Sequence, residues 1–134
     1  MSRILIVDDD PVCRDLLGES LSFMGYETRF ASDGLEALEL LEEETPDLIL
    51  MDLAMPRLDG FGTIRRIRGD SRFVKLPVIA VTAHAMQDQR EEALALGFNE
   101  YFTKPVNPMC LLNRAALEIV SITRAKPAAE DVKP

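Results

Sequence analysis

The sequence predicts an α/β fold, a doubly wound five-stranded parallel sheet with helices on both faces. Three observations carry that expectation. Short β-branched and apolar runs alternate five times with helix-like patterns, and that spacing favours parallel strands joined by right-handed crossovers. Two of the runs, Ile4-Leu5-Ile6-Val7 and Leu48-Ile49-Leu50-Met51, are wholly apolar, as strands buried on both faces are. Both run straight into acids, Asp8-Asp9-Asp10 and Asp52. Five units are too few for an eight-stranded barrel.

Each element has its own signal. The first strand is Arg3 to Val7. Pro11 follows Asp10, which suits an N-cap with proline at the first helical position. The first helix is expected to run to about Met24, with Leu16, Leu17, Leu21 and Met24 on its inner face and Gly25 as its stop. Glu27 to Ala31 reads as a strand, and Ser32-Asp33-Gly34 turns the chain into a helix marked by Leu35, Leu38 and Leu41. Thr45-Pro46 breaks it before the Leu48 run. Asp59-Gly60 opens a third helix with Phe61, Ile64 and Ile67 inside and Arg65, Arg66 and Arg68 facing water. Ser71 to Leu76 reads as a loop. Pro77 to Val81 is the fourth strand, ending in Thr82-Ala83. A helix through Ala93, Leu94 and Leu96 closes at Gly97. Asn99 to Thr103 is the fifth strand, ending in Lys104-Pro105. Asn107-Pro108 starts a last helix with Leu111, Leu112, Ala115, Ile119 and Ile122 inside. The segment AKPAAEDVKP is polar and proline-bearing, and is expected to be a flexible tail.

Composition narrows the function classes. The 134 residues fit one domain with a sizeable core. Net charge is −8, from 23 acids against 15 bases, which disfavours direct contact with nucleic acid or an anionic membrane surface. No apolar run approaches the about 18 residues of a membrane span, and the amino terminus enters a strand without a signal-peptide pattern. Cys13 and Cys110 fall in helix-like segments and read as reduced packing residues of a cytoplasmic protein.

The chemistry lies at the strand ends. Strand one supplies Asp8 and Asp9, strand three Asp52, strand four Thr82 and strand five Lys104. In a parallel sheet these five converge on the carboxyl edge, where open α/β sheets bind ligands. Three neighbouring carboxylates repel one another and require a cation. Their oxygen-only donors suit a hard divalent ion, Mg2+, which keeps waters and partners phosphate. An ammonium and a hydroxyl complete a site shaped for a phosphoryl group. Asp52 is the one single acid, rather than a run of acids, at the end of a wholly apolar strand and can act as a nucleophile toward phosphorus; Asp8 and Asp9 would hold the metal, and Lys104 and Thr82 the phosphoryl oxygens. Each residue also has a plainer reading: helix capping for Asp8 to Asp10, a solvated turn for Asp52, a strand-end side chain for Thr82, surface charge for Lys104. Their coincidence on four strand ends favours the site. No serine or cysteine stands at a strand end with a histidine beside it, and there is no glycine-rich phosphate loop.

The stretches ILIVDDD, LILMDLAMP followed by LDG, PVIAVTAHA and EYFTKP resemble the receiver domain of bacterial two-component response regulators. The resemblance runs from about residue 3 to 124, dividing the chain into a receiver domain at 1–124 and a tail at 125–134. It implies the flavodoxin-like strand order 2-1-3-4-5. It implies that Asp52 is the phosphoacceptor, that Asp8 and Asp9 bind Mg2+ and that Ala54 lends the ion its backbone carbonyl. Thr82 matches the switch hydroxyl, Lys104 the lysine that contacts phosphate, and Tyr101 the switch aromatic. Ala54 and His84 match positions that modulate hydrolysis of the acyl phosphate, and Pro105 a proline often preceded by a cis bond.

The implied function is a signalling switch rather than an ordinary enzyme, with limited autophosphorylation and autodephosphorylation. Asp52 would accept phosphate from a histidine kinase or a histidine phosphotransfer protein. Because only the ten residues of the tail follow the last helix, output is expected through a downstream protein target or a phosphorelay, from a monomer or weak dimer. The expectation is a stand-alone, single-domain response regulator, favoured by the Met1-Ser2-Arg3 start. The alternative is a receiver from a larger chain such as a hybrid histidine kinase. A phosphatase of the haloacid-dehalogenase type also uses an aspartate nucleophile and Mg2+, but it carries a second aspartate where this chain has Ala54.

Overall fold

Strands β1 (Arg3–Val7), β2 (Glu27–Ala31), β3 (Leu48–Met51), β4 (Val78–Thr82) and β5 (Glu100–Thr103) form one sheet in the order β2-β1-β3-β4-β5, and every pairing is parallel. The expected order 2-1-3-4-5 is therefore observed. The computed structural model describes residues 3–83 and 86–104. Among them the connections are helices α1 (Pro11–Phe23), α2 (Gly34–Glu43), α3 (Gly60–Arg68) and α4 (Gln87–Leu96), with a short 3-10 turn at Ser71–Phe73. The expected last helix, Cys110 and the tail lie outside the described residues.

Strand alternation divides the core into two layers. Ile4, Ile6, Leu48, Leu50, Ile79 and Val81 point to one face and pack with Leu17 and Leu21 of α1. Leu5, Val7, Ile49, Met51, Val78 and Ala80 point to the other and pack with Ala37, Leu41, Ile64, Ile67 and Ala93 of α2, α3 and α4. With both faces covered, β1, β3 and β4 have no polar side to alternate toward, which is why they read as unbroken apolar runs.

Acids start three of the helices. Asp10 accepts from the Val12 amide at 3.0 Å, Asp33 from Glu36 at 2.9 Å and Asp59 from Gly62 at 2.8 Å. Each satisfies an amide that the first turn leaves without a partner. At the far end of α4, Gly97 adopts φ 125°, a left-handed stop that favours glycine.

Three local expectations differ from the structure. The inner stripe of α1 is Leu17, Gly18 and Leu21, whereas Leu16 and Met24 are exposed. Gly18 belongs to that stripe because the Phe30 ring of β2 occupies the place of a β-carbon. Part of the supposed loop at Ser71 to Leu76 winds into the 3-10 turn, capped by Asp70. Arg68 does not face water. Its guanidinium donates to the carbonyls of Gly97 (2.8 Å) and Phe73 (2.8 Å) and to Asn99 Oδ1 (3.0 Å), satisfying acceptors where α4 ends and β5 begins.

Candidate phosphoryl-transfer site

The parallel register brings the carboxyl ends of β1, β3, β4 and β5 to one edge, with Val7 beside Met51, Met51 beside Ala80 and Thr82 beside Thr103. The next residues along the chain are Asp8, Asp52 and Lys104. Backbone bonds hold these exits: the Asp52 amide donates to Val7 O at 2.9 Å, Asp8 to Ala31 O at 3.0 Å and Lys104 to Thr82 O at 2.7 Å. Asp8, Asp9, Asp52, Thr82 and Lys104, named from four strand ends, thus share one corner.

Lys104 Nζ lies 2.7 Å from Asp8 Oδ2 and 3.2 Å from Asp52 Oδ2. Asp8 is 3% exposed, Asp52 7% and Thr82 fully buried, whereas Asp9 is open to solvent. Asp8 Oδ1 accepts from the Asp10 amide at 2.9 Å, and Asp52 Oδ1 from the Ala54 amide at 3.3 Å. Burial first, and the Asp8 charge second, push the Asp52 carboxyl above the usual carboxylate range, against the pull of Lys104. Burial disfavours the Lys104 ammonium, yet the two carboxylates outweigh it and hold its proton more tightly than usual.

Oxygens of Asp8, Asp9 and Asp52 lie within 4.8 Å of one another. Neighbouring oxygens around an octahedral Mg2+ are about 3 Å apart and opposite ones about 4.2 Å, so this all-oxygen donor set has the chemistry the ion prefers and would draw together around it. Asp9 is the one member of the three that is open to solvent.

Tyr101 is buried on β5 beside Ala80. The Arg90 guanidinium of α4 stands 5.7 Å from its ring centroid and donates to its carbonyl at 3.4 Å. Ala54 is exposed two residues beyond Asp52. His84 and Pro105 lie outside the described residues.

Sequence reasoning missed three cations that shape this corner. Arg14 Nη1 donates to Asp8 O at 3.1 Å, Arg90 covers Tyr101, and Arg57 pairs with the buried Asp33 at 2.7 Å. Arg14 and Arg90 carry no signal beyond helical charge, and Asp33 reads only as part of a turn.

Gly60 explains how Asp52 and the start of α3 come so close. A β-carbon there would stand 2.6 Å from Asp52 O and 2.8 Å from Leu53 Cα. The Asp-Gly pair therefore supplies both the α3 cap and the space for β3 to pass it.

Among the described residues, no helix is long and apolar enough to cross a membrane. The response regulator receiver domain profile matches residues 4–116. A Leptolyngbya boryana protein known as an uncharacterized 14.6 kDa protein is 49% identical over 109 residues, covering 81% of this chain and 83% of that one. The response regulator MprA of Mycobacterium tuberculosis is 38% identical over 130 residues, 97% of this chain, which spans only 55% of that relative. RpaA of Synechocystis, described as a DNA-binding dual master transcriptional regulator, is 35% identical over 130 residues, 97% of this chain and 54% of that relative. Against such relatives, the expectation of no nucleic-acid role has no support. Among solved structures, a histidine kinase receiver domain from Syntrophus aciditrophicus superposes with TM-score 0.86 at 30% identity, covering 92% of this chain and 94% of that one. The receiver domain of the Pseudomonas aeruginosa sensor histidine kinase PA1611, solved with a magnesium ion coordinated in its active site cleft, superposes with TM-score 0.82 at 36% identity and covers 88% of this chain and 97% of that one. The strand order, the matched profile and these relatives agree, and the chain belongs to the response regulator receiver domain family of two-component systems.

Proposed function

We propose that Asp52 accepts a phosphoryl group from a phosphohistidine of a histidine kinase or phosphotransfer protein, and that the change of charge switches a protein partner or passes phosphate onward. The observation that carries this reading is Lys104 Nζ standing between Asp8 and Asp52, a cation aimed at the point where a transferred group would bring negative oxygens. Asp8, Asp9 and Asp52, with the Ala54 backbone carbonyl, would hold Mg2+. When bound, the ion offsets phosphoryl charge during in-line transfer.

The chain's own part is mostly positioning. An Asp52 carboxylate oxygen attacks phosphorus and forms the P–O bond of an acyl phosphate. The P–N bond to the donor imidazole breaks, and that nitrogen leaves with the bonding electron pair. Lys104 follows the phosphoryl oxygens with its ammonium, and Thr82 offers them a hydroxyl. The added charge of about −1.5 to −2 then biases Thr82 and Tyr101, the switch pair on neighbouring strands. Hydrolysis returns Asp52 to its starting state, at a rate that the residues at positions 54 and 84, Ala54 and His84, would modulate.

We place the receiver at 1–124 and a tail at 125–134, working as a stand-alone cytoplasmic regulator, monomeric or weakly dimeric. A second reading, a receiver within a longer regulator, is favoured by the chain spanning about half the length of MprA.

Intact-protein mass after incubation with Mg2+ and acetyl phosphate tests the central step. One added phosphoryl group is expected, absent in Asp52→Asn and absent without Mg2+. No gain by the folded wild type would overturn it.

A further inference from the structure

The loop from Leu53 to Asp59 leaves the phosphoacceptor strand and carries Ala54. At its base the Gly60 amide donates to Leu53 O at 2.9 Å, and the side chains of Leu53 and Met55 are buried. At its tip the Leu58 amide donates to Pro56 O at 2.7 Å, a three-residue turn centred on Arg57. Arg57 has φ 66°, and no other non-glycine among the described residues has a positive φ. A turn of this hand is rare and strained for a residue with a β-carbon.

Two contacts hold the tip in that conformation, and both go to the start of α2. Leu58 O accepts from the Gly34 amide at 3.1 Å. Arg57 Nε donates to Asp33 Oδ2 at 2.7 Å. Asp33 is 5% exposed, and its other oxygen caps α2 through the Glu36 amide at 2.9 Å. One buried carboxylate thus serves the helix with one oxygen and the loop with the other. Strain kept in a loop next to a reacting group, and held by contacts outside that loop, suggests a preorganising device.

We propose that the Arg57–Asp33 ion pair is a latch that positions the Leu53–Asp59 loop, and with it the Ala54 carbonyl, for binding of the divalent ion at Asp8, Asp9 and Asp52. The proposal rests on the phosphoacceptor reading above and assigns Arg57 and Asp33 as positioning residues for it. Removing the latch lets the loop relax from its strained turn, so the carbonyl is no longer preset and ion affinity falls. Residues that orient metal ligands without touching the metal change affinity by about 10- to 100-fold. With Ala54 three residues from the latch, the lower part of that range is expected.

The test is a Mg2+ titration of the full chain, followed by amide chemical shifts, with thermal unfolding measured in parallel. Arg57→Asn removes the cation while tolerating the left-handed backbone, so the fold survives. It is expected to weaken Mg2+ binding by about tenfold, read at temperatures below the metal-free unfolding transition of both proteins. Arg57→Lys restores a cation and is expected to recover most of the affinity. Asp33→Asn keeps the α2 cap and should weaken binding as Arg57→Asn does. The double variant should be no weaker than either single, because both remove the same interaction. Wild-type affinity in the single variants, or losses that multiply in the double variant, would overturn the latch while leaving the phosphoacceptor reading standing. Failure of the wild type itself to bind Mg2+ and take up phosphate would overturn both.

Discussion

Lys104 Nζ bridges Asp8 and Asp52, at 2.7 Å and 3.2 Å, and joins two strand ends that are 44 residues apart in sequence. Removing it leaves two buried carboxylates facing each other without a cation. Truncating one partner of a buried pair costs about 3–5 kcal/mol. The Lys104 side chain is 19% exposed, so water recovers part of that and about 2 kcal/mol is expected. Lys104→Met should therefore lower metal-free stability by that amount in urea unfolding, and millimolar Mg2+ should restore more of the loss than it adds to the wild type. An equal Mg2+ increment in both proteins would show that the ammonium and the ion do not compensate the same charges.

Metal removal gives a second test. A ligand that binds only the folded state stabilises it by RT ln(1 + [L]/Kd), about 1.4 kcal/mol at ten times Kd. Wild type should lose that increment in EDTA. Asp52→Asn should lose little, having one ligand fewer. In EDTA, Asp52→Asn should be more stable than wild type, because burial and then Asp8 disfavour the Asp52 charge. Paired melts with EDTA and with Mg2+ read both effects.

Gly60→Ala tests whether the Asp-Gly pair is needed for space as well as for turning. The new methyl meets backbone, Asp52 O at 2.6 Å and Leu53 Cα at 2.8 Å, and backbone cannot swing aside as a side-chain tip can. A loss of about 2–3 kcal/mol is expected, at the upper end for overpacking. Because the clash bears on Asp52, phosphorylation by acetyl phosphate should slow in the fraction that remains folded. A fully active, stable Gly60→Ala protein would show that α3 can shift without disturbing β3.

These variants mark what sequence alone makes legible. The sheet was readable because strands buried on both faces cannot hide their apolar runs, and the site because Asp8, Asp52 and Thr82 end such runs and Lys104 follows the fifth strand. Asp8, Asp52, Thr82 and Lys104 needed only the parallel topology to bring them together. Arg57, Arg68 and Arg90 were not readable in this way. Their roles depend on which carbonyl, ring or carboxylate lies across a gap, and helical or loop periodicity contains nothing about that. Leu16 shows the converse: its apolar character suggested an inner position, but the buried arc of α1 is narrow and passes through Gly18 instead.

Arg68 gives a prediction away from the site. Its side chain supplies donors to Gly97 O, Phe73 O and Asn99 Oδ1, and burial lowers its proton affinity, with no carboxylate partner among the described residues. Arg68→Met keeps most of the packing and leaves those acceptors without their donor. Buried groups left unsatisfied cost about 1–3 kcal/mol each, and with water reaching some of them a total of about 2–3 kcal/mol is expected. Phosphorylation of Asp52 should be unaffected at temperatures where the variant is folded. Chemical unfolding together with the acetyl phosphate assay separates the two effects.

The Arg57–Asp33 pair predicts a pH dependence whose sign is fixed. The Arg57 guanidinium, opposed by burial and aided by the Glu36 amide, holds the Asp33 carboxyl below the usual carboxylate range. A carboxyl with a depressed folded-state pKa contributes stability that is present above its unfolded value, about 3.9, and is lost as pH falls through the folded value. Arg57→Asn removes the largest cause of that depression. Wild type and variant should therefore differ most at neutral pH and converge as the solution is acidified below about pH 4. Urea unfolding of both proteins from pH 7 down to pH 3 checks this. A gap that stays constant across the range would assign the effect of Arg57 to its backbone conformation instead of its charge, since backbone strain does not titrate.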